Sequence, residues 1–470
     1  MKKILFRGAF LFFLFPATVS QNLSNAQSLT AEQSFARSIF KELVETNTTA
    51  SSGNTTLAAN AMAKHFREAG FPANDIQVAG PTERNQNLVV RLRGKGNQKP
   101  VLFLAHLDVV EALRKDWSMD PFQLTEKDNF FYGRGTLDIK DGAAILVANF
   151  IRLKKEGYRP DRDLVLALTA GEEGGMGYDG VEWLLNNRRE LIEAAFCINM
   201  DAGDPQIKNG KRISRTVQLS EKTFLSFHLE VKNAGGHSSL PPKENAIYRL
   251  AAGLVSLSHY EFPPQLNEIT RSYFDKMASL ETGQTALDMK AVAMNPLDTA
   301  AIRRLSESPY NNALIRTTCV ATMLSGGHAE NALPQSAMAT VNCRVIPGSK
   351  LADIQHAIES AIADSQVLVT TFREFKESPA SPLNPAIMQT IETVTKQLWP
   401  GIMVVPVMEV GATDGFYLRA AGIPTYAVSG VFIDVDDVRA HGRDERIGVK
   451  EFYDGLNYEY VLIKQFGSSK

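Results

Sequence analysis

Three stretches of the chain are apolar without alternation: residues 100–105, 163–169 and 195–200. Continuous apolar runs of this length predict strands buried on both faces of a sheet. Residues 87–92 read as a further strand and 94–97 as a turn. Residues 29–43 and 56–69 place apolar side chains at three-to-four spacing, which predicts two helices, the second stopped by Gly70. An Ala- and Leu-rich run over 142–155 predicts a third helix, between the first two buried strands. Strand, helix, strand with buried strands implies an α/β sheet, mostly parallel.

The pattern changes near Arg212. Residues 224–231 alternate, as a half-buried strand does, 340–345 read as another strand, and 245–257 and 351–362 read as helices. One-sided strands with helices on the other face predict a smaller α+β unit. From about Ser378 the buried pattern returns, with 423–428 as a core strand. The expected division is therefore a catalytic domain over 27–211 and 378–470, with a lid domain over 212–377 inserted into it. A chain of 470 residues suits two such units.

Residues 1–26 carry Lys2, Lys3 and Arg7, then an apolar run over 9–15, then small residues ending at Ala26. This order predicts a cleaved export signal and a periplasmic or secreted protein. The run is shorter than the roughly 20 residues of a bilayer span, so no stable membrane anchor is expected. A net charge of −2 and the lack of any Lys/Arg run argue against nucleic acid as a partner. The three cysteines (Cys197, Cys319 and Cys343) allow one disulfide at most, and without a CxxC spacing they predict no thiolate metal site.

The chemistry lies where the buried strands end. The first ends in His106-Leu-Asp108, and Tyr132-Gly-Arg-Gly-Thr-Leu-Asp138 precedes the Ala-rich helix. The next strand ends in Gly171-Glu172-Glu173-Gly174, followed by Gly175, and the third in Asn199-Met-Asp201. His441-Gly-Arg-Asp-Glu445 lies near the C-terminus. Ligands of an open α/β sheet bind outside the carboxyl ends of its strands, so these segments are placed to converge. Imidazole and carboxylate donors without thiolate suit two divalent ions: zinc, with cobalt or manganese as alternatives. Asp108 suits acceptance of the second ring N–H of His106. Of the adjacent Glu172 and Glu173, one can bind metal and the other act as general base.

These segments resemble the M20 family of metallopeptidases, from about residue 30 onward. The resemblance implies a three-layer, mostly parallel α/β metallopeptidase domain with an inserted α+β lid of the dimerisation type. It implies that Asp138 bridges two ions, that His106 and Asp201 complete one site, and that Glu173 and His441 complete the other. Asp108 would orient His106, and Glu172 would be the base. Gly235-Gly-His-Ser-Ser-Leu-Pro241 resembles the lid motif whose His, here His237, reaches the partner subunit's active site in a homodimer. Asn331 and Arg344 resemble the lid residues that hold the substrate carbonyl and carboxylate. An Arg fork suits a carboxylate through two parallel hydrogen bonds. Gly411-Ala-Thr-Asp-Gly415 resembles a loop lining the substrate pocket through Thr413.

Ile139 stands where many members carry another acid. The stretch from His237 to Asn331 is longer than in compact bacterial members, as in the carboxypeptidase S group. The implied activity is hydrolysis of an amide or peptide bond beside a free carboxylate, as an exported carboxypeptidase or dipeptidase. The alternative is an N-acyl-amino-acid amidohydrolase, so the expected substrate is a small peptide or an N-acyl amino acid. A serine or cysteine hydrolase is disfavoured, because no Gly-x-Ser-x-Gly elbow exists and Cys197 sits inside a core strand. A non-catalytic binding protein on the same fold would be expected to have lost ligand positions, and none is degraded.

Overall fold

A computed structural model describes residues 28–96, 98–174, 177–371 and 375–468. The expected leader (residues 1–26) and Gly175 lie outside them. Ten strands form one large sheet. At its centre Val101–His106 lies parallel to Leu164–Thr169 on one side and to Phe196–Asn199 on the other. Thr425–Ala427 continues the parallel set beside Phe196–Asn199. The hairpin of Ile76–Thr82 and Asn85–Leu92 adds antiparallel strands at one end.

Alternate side chains of the central strands supply the two cores. Phe103, Leu166 and Ile198 face helices Ala31–Glu45, Lys140–Lys155 and Val449–Gly467. Leu102, Leu104, Val165 and Cys197 face the opposite layer, where Val181 and Leu184 of helix Gly180–Asn187 and Leu418 pack. The result is three layers. Lys140–Lys155 is buried almost all round, and that explains its Ala-rich composition. Ala31–Glu45 begins on a capping box in which Thr30 and Gln33 satisfy each other's backbone N–H groups.

The lid sheet has four antiparallel strands, in the order Thr318–Gly326, Ser336–Val345, Thr223–Lys232 and Val367–Thr371. Helices Ala246–Ser258 and Leu351–Ile362 cover one face over Leu225, Phe227 and Val341. Cys319 and Cys343 face each other across the first strand pair and form a disulfide, leaving Cys197 free and buried.

The expected boundary at 211/212 falls at the head of a strand of the large sheet. Lys211–Glu221 pairs with Met403–Glu409 in parallel, so the chain leaves that sheet at Lys222. The long stretch between His237 and Asn331 also divides. Four of its helices run from Glu268 to Ile315, and their Phe274, Val292 and Leu314 join the core of the large domain. The extra residues thus thicken the catalytic side and leave the lid's sheet and two helices intact.

Candidate metal centre

Each acidic or imidazole group sits where a strand or turn delivers it to the carboxyl edge of the sheet. His106 is the last residue of its strand. Asp138 lies in the turn before helix Lys140–Lys155, and Glu172 and Glu173 follow strand Leu164–Thr169. Asp201 follows Phe196–Asn199, and His441 lies in the loop ahead of strand Arg446–Gly448, at φ 61°. Two clusters result. Ligand atoms of His106, Asp138 and Asp201 lie within 4.8 Å of one another, as do those of Asp138, Glu173 and His441. Asp138 belongs to both: Oδ1 is 3.1 Å from His106 Nε2, and Oδ2 is 3.0 Å from His441 Nε2. Glu173 Oε2 is 2.9 Å from His441 Nε2. Glu172 stands outside both clusters with Oε2 3.9 Å from His106 Nε2.

The donor set fits divalent cations. Asp138, Glu172, Glu173 and Asp201 crowd one edge of the sheet with two imidazoles among them, and a buried Glu173 oxygen has no hydrogen-bond partner among the described residues. Burial pushes Asp201 and Glu172 well above the usual carboxylate range, and the neighbouring acids push in the same direction. Burial alone would lower His106, but its hydrogen bond to Asp138 and the charges of Asp201 and Glu172 raise it instead. Burial also opposes ionisation of Asp138, yet the hydrogen bonds from His106 and His441 hold it below its ordinary value. Carboxylates this close all stay ionised only beside cations, and two divalent ions would supply that balance.

One expectation is corrected. The Nδ1 of His106 is 2.9 Å from the backbone carbonyl of Asp108, while the Asp108 carboxylate is 3.9 Å away. That carboxylate instead accepts the backbone N–H groups of Gly171 (2.7 Å), Glu172 (3.3 Å) and Glu173 (3.1 Å). It anchors the turn that carries both glutamates.

Two buried residues that the sequence reading quoted only inside motifs tie the ligand loops together. Glu445 accepts the N–H groups of Leu137 (2.7 Å) and Asp138 (3.1 Å) and pairs with Arg134. Arg134 also donates to the backbone carbonyls of His441 (3.3 Å) and Gly442 (3.0 Å). Far apart in sequence, these partners carry no local signal of their pairing.

The lid residues are placed less centrally. His237 and Asn331 lie outside both clusters, at an exposed two-stranded ribbon in which Gly236–His237 pairs with Ala332–Leu333. His237 Nδ1 accepts from the Ser239 N–H (3.1 Å), which leaves its Nε2 as a donor. Arg344 lies across the Phe224 ring, its guanidinium carbon 5.0 Å from the ring centre. Phe224, Glu172, Thr413, Tyr178, Phe416 and Tyr417 border one cleft of about 510 Å³ between lid and catalytic loops. Thr413 is held at its floor by a 2.9 Å hydrogen bond to Glu221. No sequence period marks this aromatic lining, because its members come from three separate segments.

Comparison with known proteins agrees with this geometry. Residues 102–465 match Peptidase family M20/M25/M40. The chain belongs to that family, and it is a metallopeptidase-type amidohydrolase. The human N-fatty-acyl-amino acid synthase/hydrolase PM20D1 is 29% identical over 377 residues, which cover 78% of this chain and 74% of the relative. The probable carboxypeptidase S-like 2 of Dictyostelium discoideum is 29% identical over 392 residues, covering 81% and 74%. The M20 family metallo-carboxypeptidase Sso-CP2 from Sulfolobus solfataricus has the same fold, with a TM-score of 0.70 at 16% identity over 93% of this chain and 100% of its own.

Proposed function

We propose that this protein hydrolyses an amide or peptide bond beside a free carboxylate, as a carboxypeptidase or dipeptidase. The observation that carries the reading is Glu172, a half-buried carboxylate next in the chain to Glu173 and 3.9 Å from His106, and part of neither cluster. His106, Asp138 and Asp201 would hold one ion, and Asp138, Glu173 and His441 the other, zinc suiting this donor set best. When bound, the ions supply Lewis-acid activation of water and of the scissile carbonyl. Glu172 takes the proton of the attacking water and returns it to the leaving nitrogen. In a homodimer, His237 would offer its Nε2–H to the carbonyl oxygen in the partner subunit's active site as negative charge develops there, with Asn331 close to it on the same ribbon. Arg344 receives the substrate carboxylate, and Thr413 borders the pocket. Glu172→Gln is expected to keep its metal by elemental analysis and to lose about 10²- to 10⁴-fold in kcat. A variant that kept both metal and turnover would overturn the assignment of the base.

A second reading, N-acyl-amino-acid hydrolysis, is favoured by the aromatic cleft beside Glu172 and by the likeness to PM20D1. A screen of dipeptides against N-acyl amino acids, with metal restored after chelation, separates the two. Export is supported by the order of charge and apolar residues over 1–26 and is tested by sequencing the mature N-terminus. A homodimer through the lid is supported by Val320, Met323 and Leu324, exposed on the edge strand Thr318–Gly326. Sedimentation of the wild type against Met323→Lys tests it.

A further inference from the structure

The loop carrying Glu172 and Glu173 leaves the strand at Thr169 and enters helix Gly180–Asn187 through Asp179. Its two ends touch. A Cβ on Gly180 would lie 2.6 Å from the Ala170 carbonyl oxygen, and one on Gly171 (φ +95°) would lie 2.5 Å from that of Tyr178. Asn87, on the neighbouring strand, clamps one side. It accepts the Ala170 N–H (2.9 Å) and donates to the Gly180 carbonyl (3.4 Å).

The other side is closed by two acids. Asp414, 2% exposed, accepts the Thr169 hydroxyl, and Asp179, 8% exposed, caps the helix by accepting the Glu182 N–H (2.9 Å). Among the described residues neither forms an ion pair with Lys or Arg, and Asp414 Oδ1 has no conventional donor. The two carboxyl groups hydrogen-bond to each other. Two ionised carboxylates have no hydrogen to share, so one of the pair must carry a proton.

We propose that Asp179 and Asp414 are positioning residues, a carboxyl pair that shares one proton and staples the two ends of the loop presenting Glu172 and Glu173. Burial raises both carboxyls; the Asp414 charge adds to it at Asp179, and the hydrogen bonds from Asp179 and Thr169 oppose it at Asp414. The charged and titratable groups around the pair include Asp108, Asp201, His106, Glu172, Cys197, Tyr417 and Arg419. Most of these are acids or neutral, which disfavours a second negative charge on the pair. The staple's role in turnover rests on the reading of Glu172 as base, but the shared proton does not.

The test uses the full chain with its metal and three variants. Asp179→Asn keeps the cap and donates an amide N–H to Asp414. Asp179→Ser keeps the cap but is too short to reach. The infrared spectrum of the wild type minus Asp179→Asn at neutral pH is expected to contain the C=O stretch of a protonated carboxyl. Asp179→Asn is expected to hold kcat within about threefold, and Asp179→Ser to lose about tenfold or more with KM little changed, since small misplacements of catalytic groups are costly. Absence of the carboxyl band, or equal kcat in the Asn and Ser variants, would overturn the proposal. If Asp179→Ser fails to fold, the infrared difference decides alone. An active Glu172→Gln with the band present would remove the base and leave the pair standing.

Discussion

The backbone carbonyl of Asp108 faces the His106 ring, while its carboxylate collects three N–H groups from the turn opposite. One residue therefore fixes both the tautomer of His106 and the position of Glu172, the proposed metal ligand and base. Asp108→Ala removes only the second of these actions. One buried and two half-buried N–H groups then lose their acceptor, the buried one at about 1–3 kcal/mol before the turn relaxes. The expected result is a fall in kcat of about tenfold or more with the His106 site still able to load, measured by turnover and metal content together. Of the clustered residues, His106, Glu173 and Asp201 stand out in the sequence because each follows an apolar run, whereas Asp138 and His441 sit in a turn and a loop and are marked only by their motifs. The division of Asp108 between backbone and side chain was not legible, because His-x-Asp spacing is the same for either acceptor. Arg134 and Glu445 were hidden for a different reason: a buried ion pair gives no sign in sequence of which charge meets which.

At the scale of elements, the runs that read clearly were those with uniform burial or an unbroken helical period. Residues 100–105, 163–169 and 351–362 match strand Val101–His106, strand Leu164–Thr169 and helix Leu351–Ile362 closely. Lys211–Glu221 was assigned across the domain boundary because it mixes Arg215, Gln218 and Glu221 into a strand that is nonetheless buried. Its polar side chains are satisfied by residues far along the chain, as when Arg215 donates to Ser429. Tight element junctions give a sharper prediction. Gly180 begins its helix where a Cβ would meet Asn87 Oδ1 at 2.2 Å, and backbone lies close on the other side. Gly180→Ala is expected to cost about 1–3 kcal/mol in denaturant unfolding, as overpacking does. In the lid, the Cys319–Cys343 bridge closes a separation of 24 residues, and Cys319→Ser is expected to cost about 2–4 kcal/mol. That loss belongs to the lid, so hydrogen exchange should quicken in Ser336–Val345 and leave Val101–His106 unchanged.

For the whole molecule, the pH range of stability depends on acids buried away from the metal centre. Glu459 lies in the C-terminal helix with no exposure, and neither of its carboxyl oxygens has a hydrogen-bond partner among the described residues. Burial pushes its carboxyl up to about 8, against a partial pull from the Arg215 charge. In the unfolded chain the same group returns to its ordinary value of 4.5. The folded state thus binds the proton more tightly, so the stability it contributes is complete below pH 4.5 and is lost as pH rises towards 8. At 1.36 kcal/mol per unit, the loss has an upper bound of roughly 5 kcal/mol. Arg215 is fully buried on Tyr458 and Ser429, so the helix must accommodate a buried cation in either state of Glu459. Glu459→Gln removes the titration and keeps the shape. Its Tm should therefore fall less steeply than that of the wild type between pH 5 and 8, giving the variant its relative advantage at the alkaline end. Parallel slopes for the two proteins over that range would show that Glu459 stays ionised beside Arg215, and the alkaline loss would then have to come from other buried acids such as Glu409, which burial pushes to about 7.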